Sequence, residues 1–203
     1  MRIAITALAA FVTIALVPAG PAHAVVGIIL NAMGDPLIKP DQVMECPGEA
    51  GEGRYVKSWP EGGPWVKGNC VSGLATGTWK TYHRSGELEW KAEVESGKLV
   101  GYFKSWYEDG AIRAKGGMAA GAKDGYWSFY FNNGETKAKG HYGAGDQQGC
   151  WVTYHDNGRK ASKGAYADGK KVGTWYKWNA EGKRSKEKFG GTKTAGGCFF
   201  PLF

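Results

Sequence analysis

Residues 125–145, GYWSFYFNNGETKAKGHYGAG, decide how the chain is read, because their outline returns. The opening GYWSFYFNNGE has counterparts in GTWKTYHRSGE (77–87), GYFKSWYEDGA (101–111), GCWVTYHDNGR (149–159) and GTWYKWNAEGK (173–183), all at a spacing of 24 residues. At that spacing glycine recurs at 53, 77, 101, 125, 149 and 173, again at 62, 86, 110, 134, 158 and 182, and a third time at 73, 97, 121, 145 and 169. These 17 positions hold about half of the 33 glycines, so the enrichment reflects an internal repeat and not low complexity. Between them run two aromatic columns: Tyr55, Trp79, Phe103, Trp127, Trp151 and Trp175, then Tyr82, Trp106, Tyr130, Tyr154 and Trp178. With 42% apolar residues in 203, the chain has enough material for a sizeable core and too many aromatics for disorder.

The glycines say what one unit is. Ser85-Gly86, Asp109-Gly110, Asn133-Gly134 and Asn157-Gly158 are dipeptides that supply the positive φ angles of two-residue hairpin turns, and Ser96-Gly97 and Asp168-Gly169 mark a second turn in the same unit. Turns alternately 11 and 13 residues apart leave no room for a parallel crossover. The expectation is an all-β fold, an elongated open antiparallel meander in which about six 24-residue units form a β-hairpin solenoid. Leu88, Trp90, Ala92 and Val94 alternate with Glu89, Lys91 and Glu93, which makes one face apolar. Trp79 and Tyr82 are three apart, so a regular strand sends them to opposite faces; a bulge or a strong twist would reunite them, and the sequence leaves these readings open. Equivalent residues of neighbouring units would lie ~9.6 Å apart, in a sheet on the order of 55 Å long.

Arg2, the apolar run Ile3–Val17 and the small-x-small motif Ala22-His23-Ala24 read as a signal peptide over residues 1–24, cleaved after Ala24, and place the chain as secreted or periplasmic. A retained anchor is the alternative, but the run is shorter than the ~20 residues a spanning helix needs, and no transmembrane span follows cleavage. Residues 25–52 then form an N-terminal cap segment, 53–196 the repeats and 197–203 a C-terminal cap tail.

The pattern G-x-W-x-x-Y-x-x-x-G, followed eight residues later by Tyr142 and then by Gly145, resembles the MORN variant repeat. More narrowly it is similar to the repeats of the YwqK-family antitoxin group, here in an exported form. The resemblance covers residues 53–196, most fully 77–182. In the first unit Ser58 stands in the second aromatic column, and in the last Phe189 falls one place early, as a one-residue deletion would leave it. It implies hairpins in an open, curved sheet that offers an interaction surface. The candidate surface is the two columns Trp79, Tyr82, Phe103, Trp106, Trp127, Tyr130, Trp151, Tyr154, Trp175 and Trp178. Secreted proteins of this kind often carry a Cys pair just ahead of the repeats, which implies a Cys46–Cys70 bond, with Cys-Pro-Gly at 46–48 as a turn outside the repeat. Strict register would hold these two ~9.6 Å apart, beyond the ~7 Å that a disulfide spans. Cys150 and Cys198 share one slot two units apart, so a bond between them requires the tail to fold back; separate thiols or an intermolecular bridge are the other readings.

The chemistry of a catalyst is missing from these motifs. There is no G-x-S-x-G, H-E-x-x-H or phosphate-cradling loop, and His83 and His155 share one repeat position beside the rings, where a satisfied or solvent-facing role is expected. No cysteines lie at C-x-x-C spacing, so neither a metal site nor a cofactor is expected. The net charge of +7 would attract an acidic protein, an acidic polysaccharide or anionic lipid, while lysines alternating with glutamates would also keep a long sheet soluble and unpaired at its edges. The reading is an exported, non-enzymatic scaffold whose partner is an unidentified protein of the envelope or extracellular space. The alternatives are a carbohydrate or cell-wall module using its aromatic ladder, and a peripheral binder of anionic lipid; nucleic acid is not an expected partner.

Overall fold

A computed structural model describes residues 44–46, 52–190 and 198. The repeats form one antiparallel sheet of twelve strands whose spatial order is their chain order, with no helix among the described residues. The strands are β1 (Gly53–Ser58), β2 (Pro64–Val71), β3 (Leu74–Tyr82), β4 (Leu88–Glu95), β5 (Lys98–Trp106), β6 (Ile112–Ala119), β7 (Ala122–Tyr130), β8 (Thr136–Gly143), β9 (Asp146–Tyr154), β10 (Lys160–Ala167), β11 (Lys170–Trp178) and β12 (Arg184–Phe189). β1 and β12 each have one neighbour, so the meander stays open and does not close into a barrel, as the turn spacing predicts. The proposed signal peptide and its cleavage point, nearly all of the 25–52 cap and all of the 197–203 tail but Cys198 lie outside the described residues.

The turns exchange the roles expected of them. Ser72-Gly73, Ser96-Gly97, Ala120-Gly121, Ala144-Gly145 and Asp168-Gly169 have positive φ at both residues and join directly paired strand ends such as Glu95 and Lys98. These are the two-residue type I′ loops. The Asn133-Gly134 family closes three-residue loops instead, in which only the glycine has positive φ: Gly134 N–H donates to the Phe131 carbonyl (3.0 Å) and Phe131 N–H to that of Glu135 (2.8 Å). In some of these loops a side chain adds a bond, with Asn133 Oδ1 accepting the Glu135 N–H at 3.0 Å, as Asp109 Oδ1 does from Ala111. That local ring favours a type I turn with a glycine bulge over two successive left-handed residues.

The remaining glycine column makes a bulge. Lys91 pairs with Lys104 and Glu93 with Val100, so Gly101-Tyr102-Phe103 face the single residue Ala92, with φ +65° at Gly101. Beyond this bulge the strand is regular. Trp79 and Thr81 point to the buried face, while Lys80 and Tyr82 point away from it, so neither bulge nor twist brings Trp79 and Tyr82 together. In the last hairpin Trp178 pairs with Arg184 and Lys177 with Ser185 without the register step seen at Thr81/Tyr82 in β3–β4. The residue deleted from that unit is therefore the bulged one, and its loss keeps Phe189 in the core column, 6.4 Å from the Trp175 ring.

One face of this single sheet buries itself. Trp79, Phe103, Trp127, Trp151 and Trp175 are almost wholly removed from solvent, and ring neighbours continue the spine: Trp90–Phe103 at 6.1 Å, Phe103–Trp127 at 5.7 Å, Trp127–Phe129 at 5.7 Å and Phe129–Trp151 at 6.2 Å. Each tryptophan lies on a neighbouring strand where there is no side chain. A Cβ added to Gly68, Gly116, Gly140 or Gly164 would fall within 2.4 Å of the ring atoms of Trp79, Trp127, Trp151 or Trp175. The remaining unit replaces the glycine by Ala92 and the tryptophan by Phe103, so floor and ring change size together. The indole Nε1 of Trp127, Trp151 and Trp175 donates to the carbonyl ten residues earlier, at Gly117, His141 and Ala165 (2.8, 3.0 and 3.1 Å), beside the bulge where ladder pairing is interrupted. The fold therefore stacks without a second layer because glycine lets each ring lie flat against backbone.

Candidate interaction surface

The structure divides the ten candidate residues between two faces. Trp79, Phe103, Trp127, Trp151 and Trp175 are the core spine and are closed to any partner. Tyr82, Trp106, Tyr130, Tyr154 and Trp178 stand on the opposite, outer face, one on every second strand and partly exposed. A surface role therefore falls to the second column alone.

Four of these outer rings are covered by ammonium groups. Lys67 Nζ lies 5.1 Å from the centre of Tyr82, Lys104 5.0 Å from Trp106, Lys115 5.3 Å from Tyr130 and Lys139 5.5 Å from Tyr154. Hydrogen bonding with Tyr130 raises the Lys115 pKa above the ordinary lysine value, and Tyr154 does the same for Lys139. Lys163, in the same column, moves the other way because burial, and then Lys160, disfavour its charge. The rings thus hold lysines in place on an outward surface.

That arrangement exposes a pattern that strand-by-strand reading misses. Lys67 pairs directly with Lys80, Lys80 with Lys91, Lys91 with Lys104 and Lys104 with Lys115, so five lysines stand side by side on β2 to β6. The row continues through Ser128, Lys139, Val152 and Lys163 to Tyr176 and Lys186. The expected alternation of Lys with Glu holds along β4, but across strands like charge meets like charge. Two further rings join this face from the bulges: Tyr102 is 58% exposed and Tyr126 50% exposed.

The histidines serve the stack between units. His83 Nε2 donates to the Trp106 carbonyl (3.1 Å) and His155 Nε2 to that of Trp178 (2.9 Å), while Tyr107 Oη makes the same link to Tyr130 (2.8 Å). Among the described residues no three His, Cys, Asp or Glu side chains converge as a metal site.

Both disulfides are present. Cys46 bonds to Cys70 with the Cα atoms 6.2 Å apart. The bond escapes the strict repeat register because residues 44–46 lie across the loop ends, bridged to the start of β3 at Glu45–Leu74 and not set in the repeat's own hairpin: Met44 N–H donates to Gly97, Cys46 N–H to Gly73, and Ala75 N–H to Met44. Cys150 bonds to Cys198 across 5.2 Å, which requires the fold-back of the tail, and Cys198 Sγ lies 3.1 Å from the Gly164 carbonyl. Cys150 occupies the outward bulge position of Tyr102 and Tyr126, so this clamp sits on the outer face, whereas the fully buried Cys70 belongs to the core.

The geometry defines a class, the β-hairpin repeat protein with an open sheet. Residues 123–143, which run from β7 through the Asn133-Gly134 loop to the end of β8, match the family described as the MORN repeat variant. No curated protein matches the chain. Among solved structures, the GtfA/B complex bound to UDP and GlcNAc aligns at 12% identity over 76% of this chain and 27% of that one, with a TM-score of 0.25, a superposition too loose to bear on fold or function.

Proposed function

We propose that the chain is an exported, non-enzymatic repeat scaffold that binds a partner protein in the cell envelope or extracellular space. The observation that carries this reading is the division of faces. The inner face is consumed by its own packing, which leaves the outer face as a continuous array of rings and lysines in register over successive strands. A surface built of repeating rows suits an extended contact better than a single reacting centre. The MORN repeat variant at 123–143 supports the interaction role. Two disulfides support an oxidising compartment, and among the described residues no helix is long and apolar enough to cross a membrane.

The test is affinity capture from an envelope fraction with the folded chain as bait. One stoichiometric protein should be retained, and Trp106→Ala with Tyr130→Ala should release it without altering the strand circular dichroism. Recovery of no protein, together with saturable quenching of tryptophan fluorescence by soluble glycan fragments, would overturn the scaffold reading in favour of a carbohydrate module.

A further inference from the structure

Like charges directly opposite on neighbouring strands oppose sheet formation, and a single such pair is easily avoided by substitution. Here the pairing is repeated across five strands, from Lys67 to Lys115. Lys67, Lys104 and Lys115 rest on Tyr82, Trp106 and Tyr130, whereas Lys80 and Lys91 between them make no ion pair, hydrogen bond or ring contact among the described residues. Glu89 and Glu93, two residues to either side of Lys91 along β4, each accept a threonine hydroxyl, from Thr81 at 2.9 Å and from Thr78 at 2.6 Å. Across strands spaced ~4.8 Å apart, the five lysines make a straight positive stripe ~19 Å long.

From this we infer that the β2–β6 stripe is the docking site for an acidic, extended segment of the partner polypeptide. The inference rests on the scaffold reading and names the chemistry of its partner. Charge complementarity calls for a polyanion. A sugar chain would dock by stacking along the column of rings, and in that column the faces of Tyr82, Trp106, Tyr130 and Tyr154 carry ammonium groups 5.0–5.5 Å from the ring centres. A polypeptide needs no free ring face. Its carboxylates meet Lys80 and Lys91, while its apolar side chains meet the exposed ring of Tyr102 next to the stripe. About ten extended residues reach ~33–36 Å, more than enough to cross it.

The probe is a fluorescein-labelled oligoglutamate of about ten residues, titrated with the full chain and followed by fluorescence anisotropy. Binding should be saturable and weaken steeply with added salt. Lys80→Gln with Lys91→Gln should lower affinity about tenfold or more, and Lys80→Arg with Lys91→Arg should retain it. The glutamine variant should melt no lower than the wild type, because it relieves repulsion, so the loss reads as lost docking and not lost fold. Unchanged affinity of the glutamine variant would overturn the inference. So would alginate oligomers of equal charge, or vesicles of phosphatidylglycerol, binding about tenfold more tightly than the peptide. An envelope protein captured equally by wild type and glutamine variant would leave the scaffold standing and remove only the stripe from its interface.

Discussion

Gly140→Ala adds one methyl group to a strand and should destabilise the protein, against the usual direction for glycine in regular structure. Two effects compete. Replacing glycine at a φ that alanine tolerates removes unfolded-state freedom and stabilises by roughly 0.4–1 kcal/mol. Gly140 has no positive φ, so it qualifies. The new Cβ, however, would sit 2.4 Å from Cδ2 and Cε2 of Trp151, where carbon atoms settle at ~3.5–4.0 Å. The ring must retreat by about 1 Å or more. It is held on every side: its Nε1 donates to His141 at 3.0 Å, and Phe129, Tyr142 and Tyr166 flank it at 6.2, 5.0 and 6.1 Å. Overpacking of a well-filled core costs about 1–3 kcal/mol, and a strained indole hydrogen bond adds up to about 1 kcal/mol. The net expectation is a loss of about 1–3 kcal/mol, or roughly 2–10 °C in the thermal midpoint. Ala92 and Phe103 supply the rescue that the chain already uses, so Gly140→Ala with Trp151→Phe should be less destabilised than the sum of the single changes by about 1 kcal/mol. Urea and thermal unfolding followed by strand circular dichroism measure all three variants. An alanine variant as stable as the wild type, or a coupling within ~0.3–0.5 kcal/mol of zero, would refute the flat-ring account of how this sheet packs.

Gly134→Val should cost about 1–3 kcal/mol by forcing a β-branched residue into φ +84°, although open space surrounds the position, and Gly134→Asn should recover most of that loss; equal midpoints for valine and glycine would contradict the bulged loop. Cys46→Ser with Cys70→Ser opens a closed loop with a sequence separation of 24, which in the chain-entropy view removes about 3–4 kcal/mol, and amide exchange should rise in β1 and β2 while β7 to β9 keep their protection. Uniform loosening of the whole sheet would show instead that the units do not fold as near neighbours.

The hairpin repeat was legible because its signals are local: turn dipeptides, the 24-residue spacing and the alternation at Leu88, Trp90, Ala92 and Val94 all act within one unit. Which turn closes which hairpin was not legible. Asn133-Gly134 and Ala144-Gly145 are both compatible with positive φ, and what separates a three-residue loop from a two-residue one is the ladder pairing beside it, Tyr130 with Thr136 and Gly143 with Asp146. The glycine column at 68, 116, 140 and 164 was visible at the same period, yet glycine in a repeat reads first as a turn former. Its purpose, a bare floor beneath an indole, depends on a contact between strands.

The lysine row was hidden for the same physical reason. Along β4 the charges alternate, Glu89, Lys91, Glu93, Glu95, and this looks like ordinary solubility patterning. The neighbour of Lys91 is set by the bulge at Gly101, which shifts the ladder by two residues between Glu93–Val100 and Lys91–Lys104. Without that shift Lys91 would face Tyr102 and the row would break. The glycine that lets Phe103 turn into the core is thus the same residue that aligns Lys91 with Lys104, so packing on one face and charge on the other are fixed by one backbone irregularity. A sheet that repeats this irregularity from unit to unit repeats the ring seating and the cross-strand alignment together, and the outer stripe forms on β2 to β6, where lysine fills every place in the aligned row.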